Sequence, residues 1–264
     1  MVATPIGNLE DITLRALRVL REVALIAAED TRRTAHLLAR HAIATPTTSL
    51  HEHNEAQKSG ALVARLLAGE HVALVSDAGS PTIADPGHRL IADAIAADIR
   101  VEPVPGPNAA IATLMASGLP GDSFAFLGFP PSRGKDRRKW FDRAAATGGT
   151  VVFYEAPHRF VDTLQQLKNA VGDCHVVVGR ELTKMHEELV RGPISSVLER
   201  LNAPRGELTI IALIGHTIEK DRHDICHTTE NDPLSRRRAI SELAKKLGIP
   251  ANQVYKALEG AKNR

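Results

Sequence analysis

The chain has 264 residues, 43% of them hydrophobic and 24% charged, which is the composition of a soluble globular protein and enough length for two domains. No apolar run approaches the 18 or so residues that a membrane span needs, and the N-terminus lacks the pattern of a signal peptide. Cys174 and Cys226 are too few for a disulfide framework, so we expect a cytoplasmic protein.

The net charge of +2 is unevenly distributed along the chain. Residues 235–264 carry a net charge of +6 and residues 131–143 a net charge of +4, which leaves −8 for the remainder. Two basic segments on an otherwise acidic chain predict a polyanionic partner, and nucleic acid is the first candidate. Because only 3% of the residues are aromatic, we expect phosphate contacts and shape, and not base stacking, to provide most of the binding.

The first half of the chain alternates between strand and helix patterns, which predicts a mostly parallel sheet. Asn54, with Gln57 three residues later, predicts a capping box at the start of one of these helices. The predicted strands cover residues 2–4, 23–28, 72–75 and 99–104, and the predicted helices cover residues 14–20, 31–40, 55–67 and 87–97.

The stretch HVALVSDAGSPTIADPG, residues 71–87, is a buried strand that breaks into a loop of small residues before a helix. Open α/β sheets bind ligands beyond the carboxyl ends of their strands. Gly79 allows the backbone to approach a ligand closely, and Pro81 stiffens the loop. Residues 5–8 and 105–110 form similar loops, and we expect all three at one edge of the sheet.

A second α/β unit follows a boundary at residues 119–122. Its predicted strands cover residues 124–128, 150–155, 175–180 and 207–214, its predicted helices cover residues 135–146, 158–170 and 194–201, and residues 181–192 are predicted as a loop. Two short helices close the chain with the spacing of a helix-turn-helix. The predicted domains are an N-terminal α/β domain (1–118), a C-terminal α/β domain (122–215), a linker (216–233) and a basic helical extension (234–264).

Several familiar sites are not supported by the sequence. The first strand is not followed by GxGxxG, and GxxxxGK[ST] and GxSxG are absent, which argues against dinucleotide, P-loop and serine-hydrolase sites. His223, Cys226 and His227 lack a fourth ligand at a typical spacing, so no metal is predicted. His51 and His53 lie in a predicted loop, where solvated or substrate-contacting roles are more common than acid–base catalysis.

Seven motifs in order resemble the RsmI family of small-subunit rRNA (cytidine-2'-O)-methyltransferases, in the tetrapyrrole methylase superfamily. They are TPIGNLEDITLRAL, AAEDTR, LHEHNE, VSDAGSPTIADPG, VPGPNAA, FYEAPHR and RELTKMHEE. The resemblance implies two α/β domains, the first with a mostly parallel sheet and the second with a mixed sheet. It implies S-adenosylmethionine (SAM) in the cleft between them and a homodimer. The implied substrate is the 2'-hydroxyl of a decoding-centre cytidine of 16S rRNA in the small ribosomal subunit, with no role for a membrane.

The resemblance also assigns residues of this chain. The implied SAM-binding residues are Pro5, Ile6, Gly7, Asp77, Gly79, Ser80, Pro81, Ile83, Pro107, Asn108, Ala109, Tyr154 and Glu155. The candidates for the base that removes the hydroxyl proton are Glu29, Asp30 and Lys184. The expected RNA-contacting residues are Arg32, Arg33, Arg236, Arg237, Arg238, Lys245 and Lys246, mainly through phosphates.

Two alternatives stay open at this point. One is a sister methylase with a tetrapyrrole or another small molecule as its substrate, and the other is a non-enzymatic regulator that binds nucleic acid through the helix pair. One departure from the family pattern concerns the first strand, because only residues 1–4 precede Pro5. A strand inside a sheet satisfies backbone groups on both neighbours, so we expect that a few additional upstream residues would raise the melting temperature and tighten SAM binding.

Overall fold

The structure is a computed structural model that describes residues 1–215, which form one compact unit containing two separate sheets. Every expectation about the linker and the basic extension therefore lies outside the described residues. This applies to the helix-turn-helix pair and to His223, Cys226, His227, Arg236, Arg237, Arg238, Lys245 and Lys246. The division of residues 1–215 into two domains stays a prediction. No helix of this part of the chain is long and apolar enough to cross a membrane.

The first sheet is parallel, as the alternating pattern predicts. Strand β1 (Leu25–Ala28) lies at its centre, between β2 (Thr47–Ser49) and β3 (Val72–Val75). All four residues of β1 are buried, as expected for a strand covered by helices on both faces. The associated helices are α1 (Leu14–Glu22), α2 (Thr31–Arg40), α3 (Glu55–Leu67) and α4 (His88–Ala96), with a 3-10 helix at Leu9–Asp11.

The starts of these helices depend on local hydrogen bonds. Thr13 caps α1 by accepting from the backbone N–H of Ala16, and Asp30 caps α2 by accepting from that of Arg32. The capping box predicted at Asn54 is wrong. The Asn54 side chain instead accepts from the backbone N–H of His51, so it stabilises the turn before α3 and not the helix end.

The first residues of the chain pair on both sides despite their short length. The Val2 N–H donates to Leu74 O at 2.9 Å, and the Ala3 N–H donates to Val104 O at 3.2 Å. The strand predicted over residues 99–104 is wrong, because only Val104 forms a bridge there, with Val2. Met1 continues this pairing, since its terminal ammonium donates to Glu102 O and its carbonyl accepts from the Val104 N–H, both at 2.8 Å. Pro103 and Pro105 have no backbone N–H to add to it.

The second sheet is mixed, in agreement with the expected fold class. Its strands are β4 (Phe124–Phe126), β5 (Gly149–Glu155), β6 (His175–Arg180), β7 (Glu188–Pro193) and β8 (Leu208–Ile214), in the order β4-β5-β8-β6-β7. Only the β4–β5 pair is parallel. The predicted 181–192 loop is too long, because β7 begins at Glu188. The polar residues of this edge strand hide its strand pattern.

Helices pack on both faces of the second sheet. One face buries Phe153 of β5 against a cluster that includes Trp140, Phe160 and Leu164. After α4 the chain forms the helices α5 (Ala109–Ser117), α6 (Gly134–Thr147), α7 (Phe160–Val171) and α8 (Ile194–Arg200), with a 3-10 helix at Pro157–Arg159. Helix α5 covers the other face, where a Cβ on Gly179 would lie 2.8 Å from the Thr113 hydroxyl. The helix that directly follows the loop at residues 105–108 therefore rests on the second sheet.

Glu155, at the end of β5, is fully buried and completely bonded. Its carboxylate lies 2.6 Å from the Arg159 guanidinium, accepts from the Thr163 hydroxyl at 2.5 Å, and accepts from the Ala156 N–H at 2.7 Å. These contacts join the end of the strand to the start of α7.

We expect Glu155→Ala to lower the free energy of unfolding by about 3 kcal/mol, because it removes the partner of a mostly buried charge. Glu199→Ala, at an exposed carboxylate on α8, is the matched control and should cost less than about 0.5 kcal/mol. Urea denaturation of both variants measures the difference, and equal costs would contradict a structural role for Glu155.

Candidate active site

The three small-residue loops meet beyond the carboxyl ends of the parallel strands, which confirms the prediction that they share one edge. Thr4 and Gly79 exchange backbone hydrogen bonds of 2.9 and 3.0 Å, which join the first loop to the second. The Asn108 amide donates to the Ser80 hydroxyl at 3.3 Å, which joins the second loop to the third. A Cβ on Gly79 would lie 3.5 Å from the Ile6 side chain, so all three loops are in close contact.

The loop after β3 has a strained backbone. Four residues within nine have φ in the left-handed region: Gly79 (+85°), Thr82 (+70°), Ala84 (+63°) and Gly87 (+114°). The two non-glycine residues each store about 1–3 kcal/mol there, which the surrounding contacts must offset. Glycine is favoured at position 87 by its φ, and a Cβ there would also lie 2.6 Å from the end of the Leu74 side chain, which would have to shift. Strain of this kind is concentrated at functional sites.

Acidic side chains at the ends of β1 and β3 bond across the gap between the two strands. The Asp77 carboxylate accepts from the Asp30 N–H at 2.9 Å, and the Glu29 carboxylate accepts from the Asp77 N–H at 3.2 Å. Arg33 lies 3.5 Å from the other oxygen of Asp77. These reciprocal bonds set the positions of both strand ends.

Asp85 joins this acidic group and is a residue that the sequence analysis missed. Burial raises the pKa of Asp85 to about 6, and the negative charges of Glu29 and Asp77 act in the same direction, against a hydrogen bond from Ser76. Burial likewise raises the pKa of Glu29. The signal in the sequence is an acidic residue directly before Pro86 and Gly87, where the loop gives way to the predicted helix.

The other two candidate bases have different environments. Hydrogen bonds from Arg32 hold the pKa of the partly exposed Asp30 carboxyl at about 2. For Lys184, burial alone would lower the pKa, but Glu181 and Glu207, at 2.9 and 3.0 Å, raise it above its usual value. Near neutral pH, Asp30 is a weak base and Lys184 is already protonated, so the geometry favours Glu29 and Asp85 as proton acceptors.

The loop that carries Lys184 packs directly against Gly7. A Cβ on Gly7 would lie 2.6 Å from the Lys184 side chain, 2.7 Å from the Thr183 hydroxyl and 2.8 Å from the backbone oxygen of Leu182. The Thr183 hydroxyl is buried, and no group within residues 1–215 hydrogen-bonds to it. A buried polar atom of this kind needs a partner, which a bound ligand can provide.

Tyr154 and Glu155 are neighbours on β5 and face opposite sides of the sheet, as successive strand residues do. The Tyr154 ring packs 5.0 Å from Phe126 and 5.4 Å from Phe129, on the side covered by α5. Burial raises the pKa of Tyr154, against a smaller effect of the Ala110 N–H. Tyr154 therefore lies beside the 108–109 loop, whereas the Glu155 carboxylate is used by Arg159 and Thr163.

The remaining predicted residues lie at the margins of the loops. Pro5 and Pro81 are buried, and Ile83 is exposed. Arg32 and Arg33 extend into solvent from the first turn of α2. Ser80 Oγ lies 3.5 Å from the backbone oxygen of Pro107.

His51 contacts Asn54 through Nε2 at 2.9 Å, outside the acidic group. Within residues 1–215, no three His, Cys, Asp or Glu side chains are grouped so as to hold a metal ion.

Comparisons with known proteins identify the class. The model of the Tetrapyrrole (Corrin/Porphyrin) Methylases matches residues 1–198. A diphthine synthase structure has a TM-score of 0.65 at 14% identity, covering 81% of this chain and 88% of its own. A Thermus thermophilus uroporphyrin-III C-methyltransferase complexed with S-adenosyl homocysteine has a TM-score of 0.56 at 19% identity, covering 80% and 95%. At these identities the structures establish the fold. The chain belongs to the tetrapyrrole methylase family.

The relatives in sequence narrow the assignment. A protein of Halalkalibacterium halodurans named Ribosomal RNA small subunit methyltransferase I is 42% identical, covering 97% of this chain and 92% of its own length. A protein of the same name from Escherichia coli O157:H7 is 43% identical, covering 98% and 94%. The chain is therefore a methyltransferase of the ribosomal RNA small subunit methyltransferase I family.

The raised pKa of Asp85 predicts a pH-dependent stability. Above about pH 6 the folded protein holds an ionised carboxylate in an unfavourable place, whereas below about pH 4 the carboxyl is protonated in both folded and unfolded states. Asp85→Asn should therefore be more stable than the wild type at pH 8, by on the order of 1 kcal/mol after allowance for solvent screening. The difference should shrink from pH 6 to pH 4. Thermal melts against pH check this, with the exposed Asp122→Asn as control; a pH-independent difference would contradict it.

Proposed function

We propose that this protein transfers a methyl group from SAM to the 2'-hydroxyl of a cytidine in the decoding centre of 16S rRNA, within the small ribosomal subunit. The observation that carries the proposal is the convergence of three small-residue loops on a half-buried acidic group at the strand ends. The names of the relatives support rRNA as the substrate. The motifs TPIGNLEDITLRAL to RELTKMHEE support the ribose and the cytidine.

The loops have the chemistry that SAM requires. SAM is recognised through its adenine and amino-acid ends, and its sulfonium is positively charged, so backbone groups, small residues and nearby carboxylates all suit it. Ser80, Pro107 and Asn108 provide a hydroxyl, a backbone carbonyl and an amide at the loop junction. The unpartnered Thr183 hydroxyl beside Gly7 provides a further hydrogen-bonding group. The residues that we propose to hold SAM are Pro5, Ile6, Gly7, Asp77, Gly79, Ser80, Pro81, Ile83, Pro107, Asn108, Ala109 and Tyr154.

The protein's own contribution to the reaction is orientation and proton removal. When bound, SAM would supply its methyl group to the ribose oxygen by in-line displacement of the sulfur, with S-adenosylhomocysteine as the leaving group. Asp85, with its pKa of about 6, suits the role of accepting the hydroxyl proton near neutral pH, and Glu29 is the second candidate. We assign contacts with RNA phosphates to Arg32 and Arg33, whose exposed side chains lie beside this group. A homodimer and a cytoplasmic location stay predictions.

A small-molecule substrate is the competing function, because the fold also occurs in a uroporphyrin-III C-methyltransferase. We expect the purified protein and SAM to methylate small subunits from a strain that lacks the enzyme, and to leave uroporphyrinogen unmethylated. Primer extension at low nucleotide concentration and nucleoside mass spectrometry should locate one 2'-O-methylcytidine in the decoding centre. Methylation of a base, or of uroporphyrinogen but not of subunits, would overturn the proposal.

Gly79 offers a test of the cofactor loops with a matched control. Gly79 and Gly69 have nearly the same left-handed φ, +85° and +88°, so valine strains both backbones similarly. Only Gly79 lies at the loop junction, since a Cβ on Gly69 would have no atom within 4 Å. Gly79→Val should weaken SAM binding at least tenfold in calorimetry, whereas Gly69→Val should leave it unchanged. Equal SAM affinities in two folded variants would remove Gly79 from the site.

A further inference from the structure

Net positive charge in the described chain is concentrated in the segment that leads into and forms most of α6. Residues 131–143, which include most of α6, contain six Lys and Arg residues and two acidic residues. The other 202 described residues contain 17 Lys and Arg against 22 Asp and Glu. A segment of this composition on an otherwise acidic unit creates a local positive potential.

One of the six cations, Arg137, has a structural role. Arg137 is buried and donates to Gln166, the backbone oxygen of Pro131, Asp162 and Thr163, at 2.8 to 3.1 Å. It joins α6 to α7 on the same face as Trp140 and Phe141. Arg137 is therefore fully occupied by contacts within the protein.

The other five cations are exposed to solvent. Four of them lie on α6 away from its buried residues, and the fifth directly precedes the helix. We call this set the α6 surface: Arg133, Lys135, Arg138, Lys139 and Arg143. Positions 135, 138 and 139 are three and four residues apart, so they lie on one face. Among residues 1–215, Lys139 alone of the five has an acidic partner within 4.0 Å, Asp136 at 3.9 Å. The α6 surface is thus mostly uncompensated by the protein itself.

A cleft of about 580 Å³ lies beside the α6 surface, between α6 and α7. Arg133 and Arg138 line one wall, and Gln166 and Asn169 line the other. Asp142 and Asp162 also line it, but Asp162 is paired with Arg137. Guanidinium and amide N–H groups are the donors that bind phosphate oxygens.

The topology brings the start of the α6 surface to the edge of the sheet that carries Tyr154. Strands β4 and β5 are parallel, so their carboxyl ends share one edge. The segment from β4 to α6 stays at that edge, because the Tyr154 N–H donates to Gly128 O at 3.0 Å and Arg159 donates to Pro130 O. Arg133 and Lys135 follow directly, so the α6 surface begins next to the active-site side of the sheet.

We propose that the α6 surface binds the phosphate backbone of the substrate RNA, and so holds the ribosomal subunit at a place separate from the SAM loops. The inference rests on the proposed function for the identity of the RNA. Phosphate contact is the mode that fits, because Trp140 and Phe141, the aromatic residues of α6, are buried and cannot stack on bases.

The test compares two variants that each lose three positive charges. Lys135→Gln, Arg138→Gln and Lys139→Gln together neutralise the centre of the α6 surface. Arg21→Gln, Arg40→Gln and Arg100→Gln together form the control. These residues are exposed and lie on α1, at the end of α2 and after α4. For each, one measures the KM and kcat for small subunits, the subunit affinity from 50 to 200 mM salt, and the SAM affinity.

The α6 variant should show a KM for subunits at least tenfold higher, with kcat and SAM affinity within twofold of the wild type. The slope of log affinity against log salt should fall by about 2, at about 0.7 to 0.9 for each lost phosphate contact. The control should stay within twofold throughout. The single substitutions Arg138→Gln and Lys139→Gln apply the same test one contact at a time, should the triple variant fail to fold.

The outcomes separate this inference from the proposed function. If the α6 variant behaves like the control, the α6 surface does not bind RNA. If its affinity falls without a change in the salt slope, the surface contacts protein, and the inference is also overturned. If the wild type binds subunits through the α6 surface but methylates none, the proposed function fails and the inference stands.

Discussion

The two backbone hydrogen bonds between Thr4 and Gly79 are the contact on which the active-site edge depends. They hold the loop after the first residues against the loop after β3. Ser80, the next residue, then contacts Pro107 and Asn108 of the third loop. Because the Thr4 backbone is buried, separation of this pair would leave donors and acceptors without partners. The left-handed φ of Gly79 allows the chain to make both bonds and turn at once.

Electrostatics divide the described unit into regions of opposite charge. Burial raises the pKa of Asp85, and the charges of Glu29 and Asp77 raise it further. Burial also raises the pKa of Glu29, against a hydrogen bond from the Asp77 N–H. This region suits a positively charged cofactor and a proton acceptor. The net positive charge of the described chain lies in residues 131–143, on and just before α6, where a polyanion can be bound without neutralising the acids.

The last two residues of β5 have different surroundings, because successive strand residues face opposite sides of the second sheet. Tyr154 faces α5 and the third loop, whereas Glu155 faces α7 and is bonded to Arg159 and Thr163. Helix α5 connects the third loop to the second sheet, because it is capped by Asn108 and packs on that sheet. A ligand held by the third loop is thereby coupled to the packing of the second sheet.

Local patterns in the sequence predicted much of this protein. The bounds of β3, α3 and β6 follow from apolar periodicity and turn residues alone, and so does the grouping of the three loops, because parallel strands end at one edge. Only the tertiary structure decided that residues 99–104 do not form a strand and that β7 exists. It also decided that the Asn54 side chain accepts from the backbone N–H of His51 and does not cap α3. It also decided that Asp85 is half-buried beside Glu29, and that Lys184 is held by Glu181 and Glu207. Pairing, burial and charge depend on residues distant in sequence, which local periodicity does not contain.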